Sequence, residues 1–281
     1  MDIWKGAPVA AAIKQQVAMD VEMLKKQNVL PTLGIIRIGE NEDDLSYERG
    51  IRRRFEEMGA GVQVKTFPND VCQQEIEDAI SAFNQNENIH GILVFSSIPK
   101  GIQIEALRAA ICSQKDVDGF GWENMGYILA QDYKAFHPCT AEAVVEMLKF
   151  YKEDLVGKKI TIVGRSLVVG RPLAMMLMKE NATVTVCHTK TKDVPAECKD
   201  ADIVVACAGV KKLIDGSYVK PGQVVLDVGI HEDGNSLCGD VSAEDMPDLK
   251  ALTPVPGGVG AVTTALLLKH VVESAKRTVG A

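Results

Sequence analysis

The chain has 281 residues, 46% of them hydrophobic and 25% charged, which is the balance of a globular protein of about two domains and excludes disordered, fibrous and disulfide-stapled classes. With 31 basic and 38 acidic residues the net charge is −7, so the global positive field that non-specific nucleic-acid binding requires is missing. The longer apolar runs, such as 173–178 and 203–208, fall far short of the roughly 20 residues of a membrane span, so no membrane partner is expected. Seven cysteines, an odd number with no C-x-x-C pair, predict reduced core thiols and neither disulfides nor a metal site. The first residues, MDIWKGAPVAAAIKQQ, show no basic stretch leading into an apolar run, which predicts a cytoplasmic protein.

In chain order, Val9, Ile13, Val17, Val21 and Leu24 recur on one face of a helix that ends near Asn28. A β-branched strand follows at 32–38, then a helix over about 44–58 closed by Gly59 and Gly61, a strand at 61–67, a helix at 72–83, a buried strand at 90–96 and a helix at 102–112. That alternation predicts a parallel sheet flanked by helices. The turn-rich stretch 115–127 breaks the rhythm and predicts the hinge, followed by a helix at 140–151. From Lys158 strands and helices alternate again, through KKITIVG, ATVTVCH, ADIVVACAG, QVVLDVGI and a short strand near Leu252. The final helix, 263–278, follows the glycine-rich PVPGGVG. The fold class is therefore α/β, with two domains each built on a mostly parallel sheet. The expected division is 1–140, joined by the last helix 263–281, and 141–262.

Strand 158–163 runs into Gly164-Arg165-Ser166, and Gly170 then opens a helix with Pro172 in its first turn. Such a junction aims free N–H groups and a positive helix end at one point, where a phosphate or pyrophosphate is held. The spacing is G-x5-G, not G-x-G-x-x-G, so a plain strand-to-helix turn is the alternative. The next strand ends at His188-Thr189-Lys190, where an NAD enzyme usually carries an acid for the ribose 2′-hydroxyl. A hydroxyl and cations there, with Arg165, favour the 2′-phosphate of NADP over NAD. Ala208-Gly209 and Gly229-Ile230 supply small residues at the carboxyl ends of two further strands, where open α/β sheets bind ligands.

Several segments in this order carry a family likeness: Lys115-Asp116-Val117-Asp118-Gly119-Phe120, Pro138-Cys139-Thr140, Gly164 to Pro172, Asp227-Val228-Gly229-Ile230, Gly239-Asp240-Val241 and Thr253 to Gly260. Over essentially its whole length the sequence resembles the methylenetetrahydrofolate dehydrogenase/cyclohydrolase (FolD-type) family. The resemblance implies a homodimer in which a folate domain and a Rossmann-like NAD(P) domain together oxidise 5,10-methylenetetrahydrofolate. It also implies that Asp118 binds the pteridine, whose neighbouring N–H donors suit a bidentate carboxylate. Tyr47 matches the tyrosine that stacks on the folate, and Pro256, Gly257, Gly258 and Val259 match the loop lining the cleft.

Two departures bear on mechanism. The family pattern Y-x-x-x-K reads Tyr47 to Ile51 here, with isoleucine at the lysine position one helical turn on. The family segment V-Q-L-P-L-P reads Val94-Phe95-Ser96-Ser97-Ile98-Pro99, with Phe95 at the glutamine position. Hydride transfer needs two aligned rings and no general base, whereas hydrolysis of the methenyl cation is acid–base work suited to a lysine. The expectation is a dehydrogenase with weak or absent cyclohydrolase activity. A fully bifunctional enzyme, a non-catalytic NADP or folate sensor, and a shikimate- or amino-acid-type dehydrogenase are the alternatives. The segment before Tyr47, 41–46, is also more acidic than the family's N-P-A-S pattern.

Overall fold

The computed structural model describes residues 1–234 and 236–280. The chain divides into two units, one of Met1–Ala11 with Pro138–Thr263 and one of Ala12–His137 with Thr264 to the end.

The elements run β1 (Asp2–Ile3), α1 (Gly6–Lys26), β2 (Thr32–Ile38), α2 (Glu42–Glu57), β3 (Gly61–Phe67), α3 (Gln73–Gln85), β4 (Gly91–Val94), α4 (Ile104–Ala110), α5 (Trp122–Ala130) and α6 (Cys139–Phe150). Then come β5 (Lys159–Val163), α7 (Gly170–Lys179), β6 (Thr183–Cys187), α8 (Val194–Asp200), β7 (Ile203–Ala206), β8 (Val224–Asp227), β9 (His231–Asp233), β10 (Ser236–Cys238), β11 (Ala251–Leu252) and α9 (Gly260–Thr278).

Residues 12–137 with 264–280 build on a three-stranded parallel sheet in the order β3-β2-β4. The two faces of β2 alternate as the pleat requires. Ile36 and Ile38 join Ile92 and Val94 of β4 in a core closed by Ile76, Ile80 and Phe83 of α3 and Leu107 of α4. Asn41 starts α2 by accepting a hydrogen bond from the Asp43 N–H at 2.9 Å, and the acidic first turn suits the positive helix end. The inward stripe of α2 is Asp44, Glu48, Ile51 and Phe55, at steps of four, three and four.

The other unit carries six parallel strands in the order β1-β11-β8-β7-β5-β6. Its strands read as continuous apolar runs (IVVA in β7, VVL in β8) because they are buried on both faces. Counting β5, β6, β7, β8 and β11 as first to fifth, the order is second, first, third, fourth, fifth. The order reverses between β5 and β7, the topological switch point at which doubly wound sheets bind ligands.

The structure corrects the expected division at its start. Residues 1–11 belong to the six-stranded unit, because Asp2 and Ile3 pair with Ala251 and Leu252. A two-residue strand has no periodicity to read, and its partner lies about 250 positions away. Three further elements were not expected from the sequence: α5 inside the turn-rich hinge, α8 in a charged stretch, and the β9–β10 hairpin.

Candidate active site

Tyr47, Ile51, Phe95 and Asp118 all fall in the three-stranded unit. Tyr47, on the second turn of α2 and 39% exposed, sets its ring 5.7 Å from that of Phe95, tilted by 37°. Phe95 stands just past the carboxyl end of β4 and is 5% exposed, its N–H donating to the Ile36 carbonyl at 3.0 Å. Ile51 is 0% exposed. The position expected to meet the substrate thus belongs to the packed face of α2. An ion pair ties the helix to β2: Glu48 accepts from Arg37 Nε at 2.9 Å, and within α2 it also accepts from Arg52 Nε, one turn on, at 2.8 Å. Burial pushes the Glu48 carboxyl up, but the hydrogen bonds from Arg52 and Arg37 outweigh it and hold the group below its ordinary range. Arg37 also donates to the Gly39 carbonyl.

The KDVDGF segment forms a built loop. Lys115 Nζ donates to the carbonyls of Phe83, Asn84 and Asn86, closing the end of α3. Asp116 is fully buried and pairs with Ile92 as one more parallel bridge beside β4. Its carboxylate accepts from the N–H groups of Phe120 and Gly121, each at 2.8 Å, and from Asn124 Nδ2 at 2.9 Å. Burial nevertheless pushes it up to about 6. Val117 is anchored by His270 of α9, whose Nδ1 donates to its carbonyl at 2.8 Å. Ser274 Oγ of α9 donates to the Gln114 carbonyl at 2.9 Å. Asp116 therefore shapes the loop, and half-buried Asp118 follows it two residues on.

In the six-stranded unit the loops after β5 and β7 meet at the switch point. Gly164 has φ +138°, and a Cβ there would lie 2.2 Å from the Cys207 carbonyl oxygen, so only glycine fits. Ser166 Oγ accepts from the Val169 N–H at 3.0 Å, and its carbonyl accepts from Arg171 N–H at 3.1 Å, which shapes the G-x5-G turn into α7. Arg165 and Ser166 are exposed while Gly170 is buried. After β6, His188 closes a turn: its N–H donates to Thr191 Oγ1 at 2.9 Å and its Nδ1 accepts from the Lys190 N–H at 3.1 Å. Thr189 and Lys190 are exposed at its tip, and neither Lys190 nor Arg165 is in an ion pair among the described residues. Cations free of partners beside a hydroxyl, and a helix start opening from the switch point, fit a phosphorylated dinucleotide.

A buried network that sequence reasoning missed holds these turns together. Asp227, at the end of β8, accepts from the N–H groups of Gly229 (3.0 Å), Asp240 (2.9 Å) and Val241 (2.9 Å). Burial pushes this carboxyl up to about 6. Asp240 accepts from the Gly209 N–H at 2.9 Å with one oxygen and from His231 Nε2 at 2.7 Å with the other. A Cβ on Gly229 would lie 2.2 Å from Asp240 Oδ1, so glycine lets the carboxylate approach. The signal was present, since Asp227 and Asp240 sit in two of the motifs singled out above. What only the fold shows is that they face one another.

Pro256 to Val259 belong to the six-stranded unit, where the Gly257 carbonyl accepts from the Gly6 N–H at 2.8 Å. Pro256 and Gly257 are exposed, but Gly258 is buried and Val259 is 1% exposed. Val259 therefore contributes its side chain to the core, and its carbonyl accepts from the Val262 N–H in the first turn of α9 at 2.9 Å. Ile230 is exposed and approaches Gly260. All seven cysteines are free, and burial pushes the Cys207 thiol at the switch point up to about 12, which removes it as a nucleophile. A concavity of about 460 Å³ opens along β3 and α3, lined by Lys65, Phe67, Asp78 and Phe83 among others, and none of the candidate residues lines it.

Residues 4–118 match the description "Tetrahydrofolate dehydrogenase/cyclohydrolase, catalytic domain", and residues 138–279 match its "NAD(P)-binding domain". The chain belongs to the tetrahydrofolate dehydrogenase/cyclohydrolase family. A bifunctional protein FolD from Carboxydothermus hydrogenoformans is 46% identical over 273 residues, covering 96% of this chain and 95% of its own length. The FolD dehydrogenase/cyclohydrolase of Campylobacter jejuni superposes with a TM-score of 0.95 at 36% identity, covering 99% of each chain. That of Trypanosoma brucei, solved with NADP and an inhibitor, gives 0.92 at 33% identity over 99% of this chain and 98% of its own. The two-domain α/β architecture and an NAD(P)-binding domain are thus family properties that this chain has. No helix among the described residues is long and apolar enough to cross a membrane, and no cluster of three metal-ligating side chains occurs among them.

Proposed function

We propose that this member of the family oxidises 5,10-methylenetetrahydrofolate to the methenyl form with NADP, in the cytoplasm and as a homodimer, and that its cyclohydrolase activity is weak or absent. The observation that carries the reading is the apolar character of two positions: Ile51 is wholly buried and Phe95 packs its ring beside Tyr47, where the family pattern has an amine and an amide. Losing both together avoids burying either the amine or the amide without the other as its partner.

In this reading Asp118 accepts the pteridine N–H donors, Tyr47 stacks on the ring with Phe95 behind it, and Pro256 and Gly257 bring exposed backbone to the ligands. NADP, when bound, supplies the hydride acceptor. The lone pair on the nitrogen beside the methylene carbon drives the oxidation, so the chain's task is alignment. Gly164, Arg165, Ser166 and Gly170 hold the pyrophosphate, Thr189 and Lys190 the 2′-phosphate, and Ala208, Gly209, Gly229 and Ile230 the nicotinamide half. Hydrolysis needs a group to move protons on and off a tetrahedral intermediate, and Ile51 has none.

The test follows methenyl formation with NADP⁺ and NAD⁺ in parallel, then its decay. The expected result is faster formation with NADP⁺ and decay at the spontaneous rate. Decay far above background at neutral pH overturns the loss of hydrolysis, and preference for NAD⁺ overturns the Thr189 and Lys190 argument.

A further inference from the structure

The first turn of α2 holds a buried carboxylate that the reading above does not use. Asp44 is 8% exposed, and its Oδ2 is closed to solvent with no hydrogen-bond partner. Asp44 is also in no ion pair among the described residues. The one cation of β2, Arg37, is committed to Glu48 and to the Gly39 carbonyl. A carboxylate oxygen in that state is costly unless something binds it or it serves chemistry.

Helix geometry places the charge. Asp44 precedes Tyr47 by three residues and Ile51 by seven, so the three share one side of α2. Asp44 also stands where the family's N-P-A-S pattern has serine. Relative to that pattern this helix side has lost a lysine and gained an aspartate, a swing of two charges toward negative. Dehydrogenation of a methylene bridge between two nitrogens turns a neutral ring into an amidinium-like cation as the hydride leaves with its electron pair.

We propose that Asp44 is a further determinant of this reaction, its unpaired carboxylate stabilising the positive charge that develops on the bridged folate as the hydride departs. The inference rests on the dehydrogenase reading. A fixed negative charge facing a developing positive one lowers the barrier to its formation and favours binding of the cationic product over its neutral precursor. The same charge opposes hydrolysis, which discharges the cation. The serine-to-aspartate and lysine-to-isoleucine changes therefore act in one direction.

The experiment compares wild type with Asp44→Asn, which keeps the shape and removes the charge, and with Asp44→Ser, the family residue. Michaelis constants are measured in both directions, for neutral methylenetetrahydrofolate with NADP⁺ and for cationic methenyltetrahydrofolate with NADPH. Tetrahydrofolate binding is titrated separately, without dinucleotide. A unit charge acting through a partly screened protein environment is expected to change the affinity for the cation by roughly tenfold. The expected result for both variants is a roughly tenfold weaker apparent affinity for the cation and a lower forward kcat. Tetrahydrofolate binding stays within about twofold and the melting temperature is unchanged or higher. Equal weakening for neutral and cationic folates, or no change for either, overturns the proposal, since a merely structural carboxylate moves both alike. If wild type oxidises no methylenetetrahydrofolate with either dinucleotide, the dehydrogenase reading itself fails. If it does and the variants show no charge selectivity, only the role of Asp44 fails.

Discussion

Restoring the amine tests the loss of hydrolysis, and the structure sets its cost. Ile51 is wholly buried, so Ile51→Lys forfeits about 1.5–3 kcal/mol of apolar burial. It also places an ammonium among packed apolar side chains, a penalty of roughly 3–5 kcal/mol that the side chain reduces by reaching toward solvent or losing its proton. A net destabilisation of about 4 kcal/mol is expected, a fall in melting temperature of roughly 8–16 °C. Phe95→Gln beside it supplies the amide that the family pattern pairs with the amine, so the double variant should be more stable than the sum of the single changes by about 1 kcal/mol or more. The assay is thermal melting of all four proteins, then decay of methenyl absorbance on the folded ones. Burial depresses the new lysine's pKa toward the range of a general base, so hydrolysis should rise above the spontaneous rate in the double variant. A folded double variant that decays at background would refute the two-residue explanation, and rapid decay in wild type would refute its premise.

Gly164→Ala should weaken NADP binding at least tenfold by calorimetry and cost about 1–3 kcal/mol of stability, because alanine disfavours φ +138° and its Cβ would meet the Cys207 carbonyl at 2.2 Å. His231→Leu leaves Asp240 without its imidazole donor, so NADP affinity should fall several-fold while tetrahydrofolate affinity holds. His231→Gln, which keeps an N–H donor, should recover most of it, and a loss of folate binding as well would argue against a local effect. Asp227 is held up to about 6 against 3.8 for the free group, so between pH 4 and 6 the folded chain retains a proton that the unfolded chain has released. Its contribution is therefore fully present below about pH 4 and lost as pH rises through 6, by up to about 3 kcal/mol. Urea unfolding from pH 4.5 to 7.5 should show that slope in the wild type and a smaller one in Asp227→Asn; equal slopes would contradict it.

Sequence by itself determined what local chemistry dictates. The β-branched runs of β2 and β5 and the apolar stripe of α1 announced two parallel α/β halves, because period and burial are written residue by residue. The ordered motifs identified the family, and Tyr47 and Gly164 fall on the helix and turn expected of them. Only the tertiary structure showed that residues 1–11 complete the six-stranded sheet and that Ile51 is packed away. The same holds for Asp116, which builds the loop that carries Asp118, and for the network of Asp227, Asp240 and His231 behind the Gly209 and Gly229 turns. Those facts depend on groups up to 250 positions apart meeting in space. A sequence records the donors and acceptors it carries; which carboxylate finds a partner, and which, like Asp44, is left without one, is decided when the chain closes around them.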